Sequence, residues 1–363
     1  MEWSDSNKYN PFNSMKGLLW NDSHYKPIRA WFRGEGTLSP PVELSLDPIH
    51  ACNFKCPHCN AQRYLRDSEY KEWIMGWEDL ADVVALAGNW GVKGVCVGGG
   101  GEPLTNRNVC HEFGLMSRIY SHHMESAIAT NGFLINEFAA EELVSCCKWV
   151  AISVDAASRE TFKKVHGVDG FKKVIDNIDL LVKTKKETGS SVHISYRFLI
   201  VPDNYKDIRA ACRIASITGV DSFHARPADL ERGDVVVNGR VPDVSYYLDK
   251  CHEQETDTFK VQTTTHKFDS DFKAKHNFKN CVAAPLVWQA CADGNSYVCP
   301  DHRLESRFRM CKNMDTREYW GSDAHRELLQ SINVDKECSR CTWSEYARQI
   351  EVLADDPTHR NFP

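Results

Sequence analysis

The sequence contains no apolar run close to the roughly 20 residues that a membrane-spanning helix needs. It also lacks an excess of positive charge, since 44 lysines and arginines stand against 50 aspartates and glutamates, giving a net charge of −6. The first five residues are polar and acidic, unlike a signal peptide. From these absences we expect a cytoplasmic protein that binds neither membranes nor nucleic acid. Internal repeats are missing too, and 363 residues suggest one core domain with a smaller one attached.

Cysteine, by contrast, is unusually frequent in this sequence. Fifteen cysteines would indicate disulfides in a secreted protein, but in a reducing compartment they indicate metal binding or catalysis. Three lie within residues 52–59 and six within residues 281–341. The others are scattered through apolar or helical stretches, where we expect small buried side chains: Cys96, Cys110, Cys146, Cys147, Cys212 and Cys251.

Short apolar runs alternate with longer amphipathic ones from residue 42 to about 226. The short runs predict strands at 42–46, 94–97, 126–129, 149–154, 192–199 and 220–224, and the longer ones predict helices such as 78–87 and 171–183. This alternation indicates parallel βαβ units, and six such units fit a partial (β/α)6 barrel or a doubly wound sheet. The other segments are interpreted as an extended N-terminal arm (1–41), a linker or insertion (231–280), a cysteine-rich module (281–347) and a tail (348–363).

The first cysteine cluster follows the first predicted strand. Cys52, Cys56 and Cys59 have the spacing C-x3-C-x2-C, so one short loop carries three thiols. Three thiolates can hold three corners of a [4Fe–4S] cubane and leave the fourth iron open, whereas ferredoxin clusters and structural zinc sites take four protein ligands. A catalytic zinc site with three ligands, a disulfide and a chance spacing remain alternatives.

The loop resembles the signature of the radical S-adenosylmethionine (SAM) superfamily. The resemblance implies a partial TIM-like barrel, and an open iron chelated by the amino and carboxylate groups of SAM. It also implies reductive cleavage of SAM to a 5′-deoxyadenosyl radical, with flavodoxin or ferredoxin as the reductant. The residue before the third cysteine is usually aromatic in this family and lies near the adenine. Here it is His58.

Further motifs follow the later predicted strands. Residues 98–103 read Gly-Gly-Gly-Gly-Glu-Pro, which could be a simple tight turn but resembles the family motif that binds the methionine amino group of SAM. The loops and ends of the other strands supply polar residues, for which an ordinary turn, a helix cap or a solvated arginine is the alternative. The predicted SAM-site residues are His58, Gly100, Gly101, Glu102, Asn131, Ser153, Asp155, Arg197 and Arg226. The carboxyl ends of parallel strands lie at one edge of the sheet, so we expect these nine residues to meet at that edge.

The second cysteine cluster comprises Cys281, Cys299, Cys338 and Cys341. A hairpin turn at Asp293-Gly294 precedes Cys299, and by spacing alone four thiolates suit zinc or an iron–sulfur cluster equally. The region resembles the auxiliary-cluster domain of SPASM and Twitch radical SAM proteins, which implies a second [4Fe–4S] cluster on these four residues. Cys291 and Cys311 are left over, and we hypothesise that one of them, with Cys311 preferred, donates hydrogen to a substrate radical.

The resemblance fixes the radical chemistry but leaves the substrate open. We expect an oxidoreductase or epimerase that acts on a small polar molecule such as a sugar, aminocyclitol or nucleotide-linked metabolite. Modification of a ribosomally made peptide is the alternative, although only 41 residues precede the first predicted strand, too few for the usual leader-binding domain. A role confined to electron transfer is a third reading, which the open three-cysteine site disfavours.

Overall fold

The computed structural model describes residues 22–61, 71–111, 113–228, 241–264, 276 and 278–355. Their centre is one ten-stranded sheet in the order β10-β9-β8-β1-β2-β3-β4-β5-β6-β7. The strands are β1 (Glu43–Asp47), β2 (Gly94–Val97), β3 (Glu125–Thr130), β4 (Cys147–Ser153), β5 (His193–Ile200), β6 (Ser222–Pro227), β7 (Lys260–Thr263), β8 (Val287–Cys291), β9 (Asn295–Tyr297) and β10 (Arg309–Lys312). No helix among the described residues is long and apolar enough to cross a membrane.

Helices precede, connect and follow the strands, and those that connect two parallel strands form βαβ units. They are α1 (Asp22–Phe32), α2 (Trp77–Trp90), α3 (Leu115–Ser121), α4 (Glu137–Cys146), α5 (Arg159–His166), α6 (Phe171–Thr188), α7 (Ile208–Thr218), α8 (Ser245–His252), α9 (Thr316–Tyr319), α10 (Asp323–Gln330), α11 (Val334–Glu337) and α12 (Ser344–Asp355). Glycines in the left-handed conformation end several of them, as at Gly91 (φ 103°) and Gly219 (φ 79°), where the chain turns back into the next strand. The predicted α/β fold with a mostly parallel sheet is therefore confirmed, including all six predicted strands.

Eight neighbouring strands, from β8 through β1 to β7, run parallel. Strand β8 pairs with β1 in register from Glu43–Val287 to Asp47–Cys291, and antiparallel β9 and β10 follow it. The cysteine-rich C-terminal segment thus continues the core sheet. Residues 241–264, within the predicted linker or insertion, form α8 and β7, and β7 extends the sheet at its other edge.

The N-terminal segment differs from the predicted extended arm, because residues 22–32 form α1. Tyr25 and Ile28 of this helix are buried against α12, and Tyr25 donates a hydrogen bond to Gln349 at 3.3 Å. Trp31 donates its indole N–H to the carbonyl of Gly321 at 2.8 Å. The helix carries an internal Pro27 and is stabilised mainly by this distant packing, which explains why no clear period marks it in the sequence.

The two faces of the sheet differ in polarity. One face is apolar and packs against the helices, with Leu44, Leu46, Val97 and Ile152 fully buried. Side chains alternate along a strand, so the opposite face carries the other residues. That inner face is unusually polar and includes Ser45, Asp47, Cys96, Arg197, His224, Arg226, Gln262 and Gln289. A polar inner face is unsuited to a packed core and suited to binding a polar ligand.

Candidate active site

The loop after β1 carries Cys52, Cys56 and Cys59 at the carboxyl edge of the parallel strands. The backbone N–H of Phe54 donates to the Cys52 sulfur and that of Ala61 to the Cys59 sulfur, each at 3.4 Å. Burial raises the pKa of the Cys56 thiol well above its usual range, and the neighbouring Cys59 and Cys52 add to this. Three thiolates on one short loop repel one another unless a cationic centre compensates them. The donor set therefore fits a metal cluster.

A buried layer of His58, Asp155 and His166 lies beneath this loop. His166 contacts the Cys56 sulfur through Nδ1 at 3.1 Å and the carbonyl of Val154 through Nε2 at 2.8 Å. The Asp155 carboxylate lies 3.6 Å from His58 Nε2 and 3.8 Å from His166 Nε2. Burial lowers the pKa of His166 to about 4, although Asp155 opposes this shift. The sequence analysis missed His166, whose only signal is its place before the helix-ending Gly167.

Asp155 itself is held firmly at the end of β4. Its backbone is left-handed (φ 54°), and its Oδ1 accepts the N–H of Leu199 at 2.6 Å. Burial acts to raise the pKa of this carboxyl, but the hydrogen bond from His58 and the charges of the two histidines lower it overall. An aspartate ionised in this position can orient His58, which directly precedes Cys59.

The glycine-rich loop after β2 approaches the cysteine loop as closely as backbone permits. A Cβ on Gly101 would lie 2.1 Å from the carbonyl oxygen of Ala51, so only glycine fits. The N–H of Glu102 donates to that same carbonyl at 2.9 Å. Gly100 is buried in the loop, and Gly99 has a φ of 145° beside Asp47.

The Glu102 side chain joins this loop to the one after β3. Its carboxylate accepts the hydroxyl of Thr130 at 2.5 Å and the N–H groups of Asn131 and Leu104 at 2.7 and 3.1 Å. Burial raises the pKa of Glu102, and these hydrogen bonds counteract the shift. Asn131 in turn donates its side-chain amide to Asn53 at 2.7 Å. The loops after β1, β2 and β3 therefore form one connected rim.

A second polar cluster lies where β1 meets β8. Arg303 forms an ion pair with Asp47 at 2.7 Å and donates to the carbonyl of Gly99 at 3.2 Å. The buried Cys291 thiol donates to Asp47 at 3.6 Å, and His50 Nε2 lies 3.9 Å from the same carboxylate. The ligand atoms of Asp47, His50 and Cys291 lie within 4.8 Å of one another, but Arg303 already compensates the carboxylate. The sequence analysis missed Asp47 and Arg303, which are 256 positions apart by their numbers.

The remaining predicted SAM-site residues lie further along the inner face. Ser153 ends β4 directly opposite Arg197 in β5, and the Arg197 guanidinium lies 5.2 Å from the centre of the Trp149 ring. Arg226 lies opposite Leu199, near the carboxyl end of β6. Burial lowers the pKa of both arginines, and the charges of Arg340 and Arg197 lower that of Arg226 further.

The four predicted auxiliary-site cysteines converge in the C-terminal module. Cys281, Cys299, Cys338 and Cys341 line one enclosed, largely apolar cavity together with Phe308 and Ile332. Burial raises the pKa of Cys281, and the three other cysteines add to the shift. The backbone N–H groups of Ala284 and Asp301 act in the opposite direction and lower the pKa of Cys281 and Cys299 respectively. This set fits a four-thiolate metal centre.

The two leftover cysteines occupy different surroundings. Cys291 ends β8 at the carboxyl edge, beside Asp47. Cys311 lies in β10, with its sulfur 3.6 Å from the hydroxyl of Thr316 in α9. Thr316 belongs to the hydrogen-bond network of Ser296 and Trp288, and Trp288 packs against Trp90 of α2 on the helix side of the sheet. The structure therefore brings Cys291, and not Cys311, to the candidate site.

Comparison with known proteins agrees with this geometry. Residues 46–215 match the family model described as the radical SAM superfamily. A probable GTP 3′,8-cyclase of Saccharolobus islandicus is 28% identical over 185 residues, 51% of this chain and 56% of that protein. The corresponding protein of Saccharolobus solfataricus is 29% identical over 186 residues. The chain thus spans about half the length of these curated relatives.

Solved structures share the fold over a longer stretch. SuiB of Streptococcus suis bound to S-adenosylmethionine superposes with a TM-score of 0.65 at 17% identity, covering 90% of this chain and 75% of that one. The protein anSMEcpe with bound AdoMet gives a TM-score of 0.60 at 19% identity, covering 85% of this chain and 89% of that one. At such identities the likeness establishes the fold, and it extends past residue 215 into the C-terminal region.

Proposed function

We propose that this chain, whose residues 46–215 match the radical SAM superfamily model, uses a [4Fe–4S] cluster to cleave SAM reductively and abstracts hydrogen from a small polar substrate. Cys52, Cys56 and Cys59 are the proposed cluster ligands. The observation that carries the proposal is the convergence of these thiols with the loops after β2, β3 and β4 at one edge of the sheet. The bound cluster supplies the electron that breaks the sulfonium bond of SAM.

The chain's own residues then orient SAM against that centre. We propose that the backbone beside Gly101 and the Glu102 side chain receive the methionine amino group. Both Glu102 oxygens already accept hydrogen bonds from the protein, so its carboxylate is fixed in place before SAM arrives. His58, positioned by Asp155, lies where the resemblance places the residue next to the adenine. A rim built in advance loses little entropy when the ligand binds.

A second cluster on Cys281, Cys299, Cys338 and Cys341 is part of the proposal. Four thiols that line one largely apolar cavity suit a fully ligated cluster that passes electrons. An electron taken from a substrate radical gives net dehydrogenation, whereas hydrogen returned to it gives epimerisation.

For hydrogen return, Cys291 is the better placed of the two hypothesised donors. Burial holds its pKa well above the usual range, so the group stays an S–H, which is the form that can give up a hydrogen atom. In deuterated water, a product that carries solvent deuterium in the wild type and in Cys311→Ala, but not in Cys291→Ala, would support this role. Product free of deuterium in all three proteins would favour dehydrogenation.

The small-molecule reading is supported by the polar inner face, which offers charged and amide groups from β1, β5, β6, β7 and β8. The curated relatives are named for a reaction on a nucleotide, GTP. Peptide modification is the second candidate, since one SuiB structure that covers 91% of this chain is described as bound to the precursor peptide SuiA.

The decisive experiment is anaerobic. Reconstituted protein is mixed with SAM and dithionite, and 5′-deoxyadenosine is measured by chromatography. Formation of 5′-deoxyadenosine supports the proposal, and its absence from protein that holds iron and binds SAM contradicts it. Adding nucleotides, sugar phosphates, aminocyclitols or peptides one at a time identifies the substrate class, because a true substrate accelerates SAM consumption and is itself converted.

A further inference from the structure

Two arginines on the inner face lack a carboxylate partner. Arg197 of β5 and Arg226 of β6 are on neighbouring strands, and Arg226 faces the same side as Arg197 because Leu199, two residues along, is its cross-strand partner. Within the described part of the chain, neither arginine forms an ion pair, and the Nε of Arg197 is buried without a hydrogen-bond acceptor. Both side chains are largely buried, where an uncompensated charge is costly.

The acidic groups nearest to Arg226 are already occupied. Asp301 accepts two hydrogen bonds from Arg340, at 2.6 and 2.9 Å, and a third from Thr342 at 2.8 Å. On the other side, Asp155 accepts the N–H of Leu199 and lies between two histidines. These carboxylates do not offset the cations around them, since the pKa of Arg226 is lowered by burial and by Arg340 and Arg197. The space beside Arg226 is therefore positive.

The position of Arg226 in the sheet also indicates which molecule this positive region could bind. Arg226 interacts electrostatically with Asp155, which lies under the first cysteine loop. It interacts as well with Arg340, which lies between Cys338 and Cys341 in the second cysteine site. Arg226 also stands near the carboxyl end of β6, on the inner face of the sheet and at the same edge as the first cysteine loop, where a substrate that reacts at that loop has to lie.

We infer that Arg226, supported by Arg197 and Arg340, binds an anionic group of the substrate, either a carboxylate or a phosphate. This inference rests on the proposed function and narrows its substrate class to anionic molecules. A guanidinium suits the role because its planar set of N–H donors matches the two oxygens of such a group. The methionine carboxylate of SAM is the competing occupant, and the experiment separates the two.

The test measures binding, so it does not depend on knowing the substrate. Anaerobic holoenzyme is titrated calorimetrically with inorganic pyrophosphate and with citrate, both without SAM and with saturating SAM. We expect at least one probe to bind the wild-type protein with an affinity that SAM leaves within about threefold. Arg226→Gln should weaken that probe tenfold or more while the affinity for SAM changes by less than threefold. Arg226→Lys, which keeps the charge, should fall between the two.

Arg213→Gln is the matched control, because it removes the same charge from an exposed position on α7, outside the sheet. It should bind the probe as the wild type does. The inference is overturned if neither probe binds, if binding survives Arg226→Gln, or if SAM displaces the probe and loses affinity in the same variant. In the last case the arginine serves SAM. If the wild-type protein forms no 5′-deoxyadenosine from SAM, it is the proposed function that fails, whatever the anion titrations give.

Discussion

The two cysteine sites differ in the number of thiols and in their surroundings. The first offers three thiols on one loop, bordered by polar groups from the loops after β2, β3 and β4. The second offers four thiols from three separate segments, enclosed by apolar side chains such as Phe308 and Ile332. A site that is one ligand short and lined with hydrogen-bonding groups can bind and activate a molecule, whereas a complete and enclosed site can only hold its metal or pass electrons.

The first site also has backbone hydrogen bonds to its sulfurs. The N–H groups of Phe54 and Ala61, each two residues after a cysteine, donate to Cys52 and Cys59. Such bonds stabilise the thiolate without requiring a polar side chain as the donor. The two sites therefore differ in thiol number and in neighbouring groups, and the following variants test what each difference does.

Removing the three thiols of the first site should have the largest effect. Cys52, Cys56 and Cys59 changed together to Ala should abolish 5′-deoxyadenosine formation and reduce bound iron from about eight to about four per chain. Iron analysis and chromatography check this, with the half-buried Cys146→Ala as the control. Full iron content in the triple variant would show that the loop holds no cluster.

Removing two thiols of the second site should separate SAM cleavage, proposed for the first site, from electron transfer, proposed for the second. Cys338→Ala combined with Cys341→Ala should also lose about four irons, but SAM cleavage should continue because the first site is intact. Conversion of any substrate that needs electron transfer should stop. If metal analysis of the wild-type protein finds one zinc per chain and about four irons, the proposed auxiliary iron–sulfur cluster is wrong.

Glu102→Ala should act on the rim of the first site alone. The change leaves the N–H of Asn131 and the hydroxyl of Thr130 without their acceptor, and it removes the proposed partner of SAM. We expect the affinity for SAM to fall by roughly 1–3 kcal/mol, the usual cost of an unpaired charged hydrogen bond. Calorimetric titration measures it, with the exposed Glu141→Ala as the control. Unchanged affinity would mean that Glu102 only shapes the loop.

The smallest effect concerns acid stability in the C-terminal region. Burial lowers the pKa of His325 to about 3, whereas the unfolded residue titrates near 6.5. Between these pH values the unfolded chain binds a proton that the folded chain does not, so the free energy of unfolding falls as pH drops below 6.5. The loss should amount to roughly 3 kcal/mol by pH 4.

Urea unfolding of metal-free protein across that pH range tests this, with His325→Asn expected to flatten the dependence. Asparagine can still accept the N–H of Gly321, which His325 Nδ1 accepts at 3.2 Å. His252→Asn, at a partly exposed position, should leave the pH dependence unchanged. An identical slope in wild type and His325→Asn would mean that other groups control acid stability.

Much of the fold follows from local pattern. The six strands of the core were predicted from short apolar runs, because a strand covered by helices on one face needs a local cluster of apolar residues. Strand β2 (Gly94–Val97) matches its prediction residue for residue. Strand β7 and helix α1 were not recognised, since each is short or polar and is stabilised by neighbours that are remote in sequence.

The sequence by itself predicted which thiols group into the two cysteine sites and the edge of the sheet at which the first one lies. The spacing within residues 52–59 determines which thiols of the first site can share a cluster. The strand–helix alternation determines that the loops after the parallel strands lie at one edge of the sheet. Only the tertiary structure decided which other groups meet them. The pairing of β8 with β1 brings Cys291 to Asp47, and Arg303 of the C-terminal module forms an ion pair with the same carboxylate. Such contacts join residues more than a hundred positions apart, and no local pattern in the chain records them.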